Sequence, residues 1–175
     1  METRTELEDL LEHMQRYRAV TLQALDMVRD DEMDWRPSDG HYSLGQQLLH
    51  IAQTEDLYAH GLFDRDWNYE RARFPDALPD RAALREMFAR VRAKTTHHLA
   101  TLDPAELSRV VEIPGSPLAH TLRSWLWFLV EHEMHHKAQI GMYLRQLGRT
   151  PPFYAMPLAA GERPDVQARE ALGGF

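Results

Sequence analysis

The chain has no cysteine among its 175 residues. That excludes a disulfide framework, a thiolate zinc site and a thiol nucleophile of its own. No apolar run approaches the roughly 18 residues that span a bilayer. The charged, polar first residues do not read as a secretion signal. The expectation is therefore a cytoplasmic protein with no membrane partner. Basic patches are missing too: 20 Lys and Arg stand against 27 Asp and Glu, for a net charge of −7 spread along the chain. With no basic stripe and no aromatic–basic weave, nucleic acid is not an expected partner. Strand signals are scarce, with only residues 110–113 reading as briefly extended. No internal repeat is evident.

What the chain does have is helical periodicity. The pattern predicts an all-α four-helix bundle as one domain over residues 1–150, with short irregular connections, followed by a tail over 151–175. The first helix is expected over 5–29, with Leu7, Leu10, Leu11, Met14, Tyr17, Thr21, Leu25 and Val28 inward and the charged residues between them on a solvated face. Thr3 with Glu6, or Thr5 with Glu8, offers a capping box. Pro37 and Gly40 break the following loop, where Trp35 reads as a plug for one end of the bundle. Ser43 and Gln46 open a second helix, to about residue 63, with Leu44, Leu48, Ile51, Ala52, Tyr58 and Leu62 inward. Asp80 reads as the cap of a third helix, over about 81–101. The fourth, 122–148, is the longest, although its start lies anywhere from Pro117 to Leu122. Phe153, Tyr154, Met156 and Leu158 are too apolar for an idle tail. They would fold back over the bundle or reach a second copy in a homodimer. The last dozen residues read as loose.

His132 and His136 fall on the apolar stripe of the fourth helix. Four residues apart, they leave one face one turn apart, and two imidazoles at that pitch can share a metal ion. The spacing does not by itself separate a metal site from a hydrogen-bonded structural pair. An unpartnered buried imidazole would cost about 1–3 kcal/mol. The letters also spell HExxH (His132, Glu133, His136), the zinc-peptidase pattern. That reading weakens, because Gln139 and Met142 occupy the positions where the extended motif has Gly and His, and a sheet edge for extended substrate is lacking. A di-iron bundle needs a second ExxH, which the chain does not have. On the second helix Glu55 lies on the core stripe, an acid where leucine is expected. His50 lies off that stripe, over Gln47, Thr54 and Leu57, and read alone is a flank residue. His97 and His98 receive no role.

Two segments carry a resemblance in combination: DWRPSDGHYSLGQQLLHIAQTED around His50, and HEMHHKAQIGMYLRQLG around His132 and His136. With the closing LRQLGRTPP, they resemble the DinB/YfiT superfamily of four-helix-bundle, metal-dependent enzymes over residues 5–152. The family's HHRGQ stands here as HHKAQ, with Lys137 and Ala138 at positions that are not ligands. The resemblance implies a divalent metal held by His50, His132 and His136, and so overrules the solitary reading of His50. Zinc is the first choice and nickel the second, since imidazole suits several such ions. His135, offset from His136, reads as an outer neighbour or a surface residue. Glu55 and Glu133 are candidate acceptors for imidazole N–H, or plain helix residues. Three protein ligands would leave a position open for water or substrate.

The resemblance further implies a small-molecule substrate and a low-molecular-weight thiol, used in an S-transferase or isomerase reaction. Two alternatives stand beside it. One is a hydrolase with metal-activated hydroxide as nucleophile; the other is a non-catalytic or stress-related metal-binding bundle. A cleft lined by Trp35, Trp67 or Trp125 would speak for an enzyme. The catalytic groups are not readable from the sequence.

Overall fold

The computed structural model describes residues 5–152. Helix α1, Glu6–Met27, begins at Thr5, whose hydroxyl accepts from Glu8 N at 3.3 Å while Thr5 N donates to the Glu8 carboxylate at 2.7 Å. Of the two capping boxes legible at this end, the Thr5–Glu8 box forms, and Thr3 lies outside the described residues. Ser43 and Gln46 make the same reciprocal pair before α2, Leu44–Ala59. Asp80 caps α3, Arg81–Thr101, by accepting from Ala83 N. Thr121 caps α4, Leu122–Gln146, by accepting from Ser124 N, which puts the start of the long helix at the later expected limit. Each cap satisfies N–H groups that a first helical turn leaves without partners.

The regular α-helix of α2 ends before the expected residue 63. His60–Asp64 widen into a π turn closed by Arg65 in the left-handed conformation, φ 58°. Gly61 then lies under the Trp67 indole, where a Cβ would come within 2.4 Å of the ring. The expected extended segment forms as β1, Val110–Glu112, and pairs antiparallel with β2, Ala119–Thr121. The second strand has no signal of its own. It is folded back by the turn at Pro114 and Gly115, the latter at φ 77°.

α1 packs against α4 and α3, and α2 packs against the same two helices. The expected four-helix bundle is what forms, and the ribbon is minor. Its core is two apolar clusters. One gathers Leu25, Val28, Leu48, Ile51, Phe88 and Ile140; the other gathers Leu10, Met14, Leu62, Leu99, Leu126 and Val130. On every helix a charged residue falls between them: Arg18 on α1, Glu55 on α2, Arg92 on α3 and Glu133 on α4. Arg18, Glu55 and Glu133 are only 5%, 3% and 3% exposed. Arg18 thus departs from the expectation that the charged residues of helix one face water.

These four side chains close a ring of ion pairs. Arg18 donates to Glu133 at 2.7 Å and to Glu55 at 2.6 Å. Arg92 donates to Glu55 at 2.7 Å and to Glu133 at 2.9 Å. The guanidiniums also reach the Phe88 and Met14 carbonyls. Burial pushes the Glu55 carboxyl up, and Arg92 and Arg18 outweigh it, leaving it at about 2. The ring is neutral overall and each carboxylate is met from two sides, the condition under which buried charge is tolerated.

Trp35 sits half-buried against the first cluster, edge-on to Tyr143 at 5.5 Å, the plug expected of it. No helix among the described residues is long and apolar enough to cross a membrane. The expectations for Phe153, Tyr154, Met156, Leu158 and the last dozen residues lie outside the described part.

Candidate metal centre

α4 carries His132 and His136 one turn apart, and α2 brings His50 against them. The Nε2 atoms of His50 and His132 stand 3.2 Å apart. Ring centroids are 4.9 Å apart for His50 and His132, 4.7 Å for His50 and His136, and 4.5 Å for His132 and His136. One nitrogen from each ring lies within 4.8 Å of the other two. A tetrahedral ion with nitrogens at about 2.0–2.1 Å separates its ligand atoms by roughly 3.3 Å. The His50–His132 pair is already at that spacing, and a nitrogen of the third ring lies within 4.8 Å of both.

The electrostatics suit a cation. Burial pushes His132 down to about 3, helped by His136, His50 and His135. Burial likewise lowers His136 to about 4, with His50 and His135 adding to the effect and the Gln139 amide opposing it. His50 is lowered by burial. At neutral pH the cluster therefore presents neutral imidazoles, the form that binds metal. Two neutral Nε2 atoms at 3.2 Å are compatible only if a proton or a cation lies between them, because opposed lone pairs repel. A hydrogen bond meets that condition in the absence of metal, and the donor set also fits a divalent ion: three borderline-soft nitrogens, with no thiolate and no carboxylate among them.

Around the rings stand aromatic side chains. Tyr42 and Phe74 meet His50 edge-on at 5.6 and 6.3 Å, and Phe128 meets His132 at 5.6 Å. Among the described ring contacts no tryptophan touches the three histidines. Trp125 is buried and donates to the Val111 carbonyl, Trp67 packs on Tyr58, and Trp35 sits at Tyr143. His135 is exposed, edge-on to His136 at 5.0 Å.

Glu55 and Glu133 do not take the role considered for them. Their bonds run to Arg18 and Arg92, not to imidazole N–H. Glu133 follows His132 directly, but its helical position turns it about 100° away, into the bundle. His136 meets Gln47 instead, whose side-chain oxygen lies 2.5 Å from Nδ1, in addition to the Gln139 amide. Sequence reasoning named Gln47 only as a neighbour of His50. Arg18 and Arg92 were missed as well, although a signal existed. Met14, Arg18, Thr21 and Leu25 keep the 3–4 spacing of the core stripe, as do Phe88, Arg92, Thr95 and Leu99.

Comparison with known proteins places this architecture. The DinB superfamily model matches residues 13–140. The uncharacterised protein YjoA of Bacillus subtilis is 24% identical over 147 residues, covering 83% of this chain and 94% of YjoA. Its crystal structure superposes with a TM-score of 0.68, covering 86% of this chain and 99% of that one. A DinB-like protein from Bacillus cereus superposes at 0.67 with 20% identity, covering 83% and 95% of the two chains. YfiT from Bacillus subtilis, described as a probable metal-dependent hydrolase with an unusual four-helix bundle topology, superposes at 0.70 with 20% identity over 86% and 93%. By the family match over most of its length, this chain belongs to the DinB superfamily.

Proposed function

We propose that this protein is a metal-dependent enzyme that activates a nucleophile taken from solution for attack on a small-molecule electrophile. The observation that carries the reading is the convergence of His50, His132 and His136, three neutral imidazoles from two helices, on one point. A divalent ion held there would supply Lewis acidity and would draw the pKa of a bound thiol or water toward neutrality. Three protein ligands leave a position open, as catalytic sites do and closed structural sites do not. Zinc is proposed first and nickel second.

The chain's own residues have limited tasks in this reading. The three histidines hold the ion. The Tyr42, Phe74 and Phe128 rings border the ligands and keep bulk water from their flanks. The Arg–Glu ring behind the ligands fixes how α2 and α4 sit against each other. The proposed nucleophile comes from outside, which fits a chain with no cysteine of its own. A low-molecular-weight thiol is the proposed nucleophile, making the reaction an S-transfer or a thiol-assisted isomerisation. Water is the second reading, favoured by the description of YfiT as a probable hydrolase.

The test is a rate measurement on zinc- or nickel-loaded protein with a chromogenic electrophile, with and without small thiols. The expected result is a saturable, thiol-dependent rate that His132→Ala removes. A metal-dependent rate that ignores thiol would replace the first reading with the second. No rate above buffer with either nucleophile, across esters, amides and alkyl halides, would overturn both.

A further inference from the structure

We infer that Gln47 is a positioning residue for His136, setting the tautomer in which that imidazole can bind metal. The inference rests on the three-histidine reading above and adds to it a residue that decides how well the site works. A neutral imidazole carries one N–H, and which nitrogen bears it follows from the partner of the other. The side-chain oxygen of Gln47 lies 2.5 Å from His136 Nδ1. An amide oxygen only accepts, so Nδ1 is the donor. The lone pair is then left on Nε2, the one remaining ring nitrogen that can serve a metal. Without that acceptor, Nε2–H would be accessible to the ring, and a protonated Nε2 cannot be a ligand.

The placement supports a dedicated role. Gln47 is 3% exposed. It stands three residues before His50 on α2, so both side chains leave the same face of the helix toward α4. One helix therefore supplies a ligand and the orienting partner of a second ligand, and a shift of α2 would lose both together. The chemistry of the residue matters as well. A carboxylate in its place would orient the ring equally, but would bring a negative charge beside the metal and weaken its pull on a bound nucleophile. An amide orients without charge. The nearby acids that could have served, Glu55 and Glu133, are committed to Arg18 and Arg92.

The test uses the full chain with Gln47→Met, similar in size but with no oxygen acceptor, and Gln47→Glu, which restores one. Nitrogen-15 NMR of the metal-free protein at neutral pH reads the His136 tautomer directly, and zinc titration reads affinity. The wild type is expected to show Nδ1–H at His136. Gln47→Met is expected to gain the Nε2–H form and to bind zinc about 10–100-fold more weakly, the usual loss on removing a ligand's outer partner. Gln47→Glu is expected to keep Nδ1–H and bind within a few-fold of wild type. An Nε2–H tautomer in the wild type, or unchanged tautomer and affinity in Gln47→Met, would overturn the inference. Should Gln47→Met not fold, the wild-type tautomer and the Gln47→Glu affinity still decide. If the wild type binds no zinc or nickel, the three-histidine reading fails on its own, and the tautomer measurement still judges Gln47.

Discussion

At the scale of single residues, His50 matters to the candidate metal site as much as the pair in α4 does. Its Nε2 faces His132 across 3.2 Å, so removing it should damage metal binding as severely as removing either partner. His50→Ala, His132→Ala and His136→Ala are each expected to lose more affinity than the roughly 10–100-fold that an outer partner is worth. His135→Ala, at an exposed ring, is expected to leave it unchanged. Titration of zinc into the four variants checks this. A His50→Ala protein with wild-type affinity would remove that residue from the site. His132 and His136 were legible in the sequence because a four-residue interval on an apolar stripe needs only helical geometry to interpret. His50 was not legible alone. A single imidazole on a helix flank has no periodic signature, and its partners are decided by how α2 packs on α4. Gln47 was hidden for the same reason.

At the scale of elements, the Arg18–Glu55–Arg92–Glu133 ring joins all four helices at one level. Arg18→Met alone strands two buried carboxylates with one guanidinium and is expected to cost about 3–5 kcal/mol. Replacing all four together, with Arg18→Met, Glu55→Leu, Arg92→Met and Glu133→Leu, is expected to be neutral or stabilising by up to about 4 kcal/mol, because the desolvation cost goes with the charges. Urea denaturation of the two variants distinguishes these outcomes. The ring also sets an acid limit. The Glu55 carboxyl is held at about 2 in the fold against an ordinary 4.5. The unfolded chain therefore takes up the proton first as pH falls. The stabilisation is complete above about pH 4.5 and is lost as pH falls toward 2. Urea midpoints measured above and inside that window should fall less for the fourfold variant than for wild type; equal losses would place the acid limit elsewhere. The first three helices were legible to within a few residues, because Thr5, Ser43 and Asp80 are side-chain caps with local consequences, whereas the Thr121 cap went unread and left the start of α4 open from Pro117 to Leu122. The ring was half legible. Glu55 stood out as an acid on an apolar stripe, while Arg18 was taken for one charge among many on a solvated face. Only Glu55 was read as inward, and the remaining signal was the 3–4 spacing that puts Arg18 and Arg92 on the core stripes of their helices.

At the scale of the whole molecule, metal binding would be coupled to folding, since the three histidines come from two helices that meet only in the fold. An ion present at about a hundred times its dissociation constant should stabilise the protein by roughly 2.7 kcal/mol. For a chain of this size that raises the melting temperature by roughly 5–11 °C. Calorimetry with and without zinc measures it, and the His132→Ala,His136→Ala double variant should show no rise. Whether the three histidines hold an ion is read from the metal content itself. Elemental analysis of the purified protein, carrying no histidine-rich tag, should find a single divalent ion per wild-type chain and none in the double variant. A wild-type protein that stays metal-free after incubation with zinc or nickel would contradict the account and leave a helical bundle whose three histidines only hydrogen-bond.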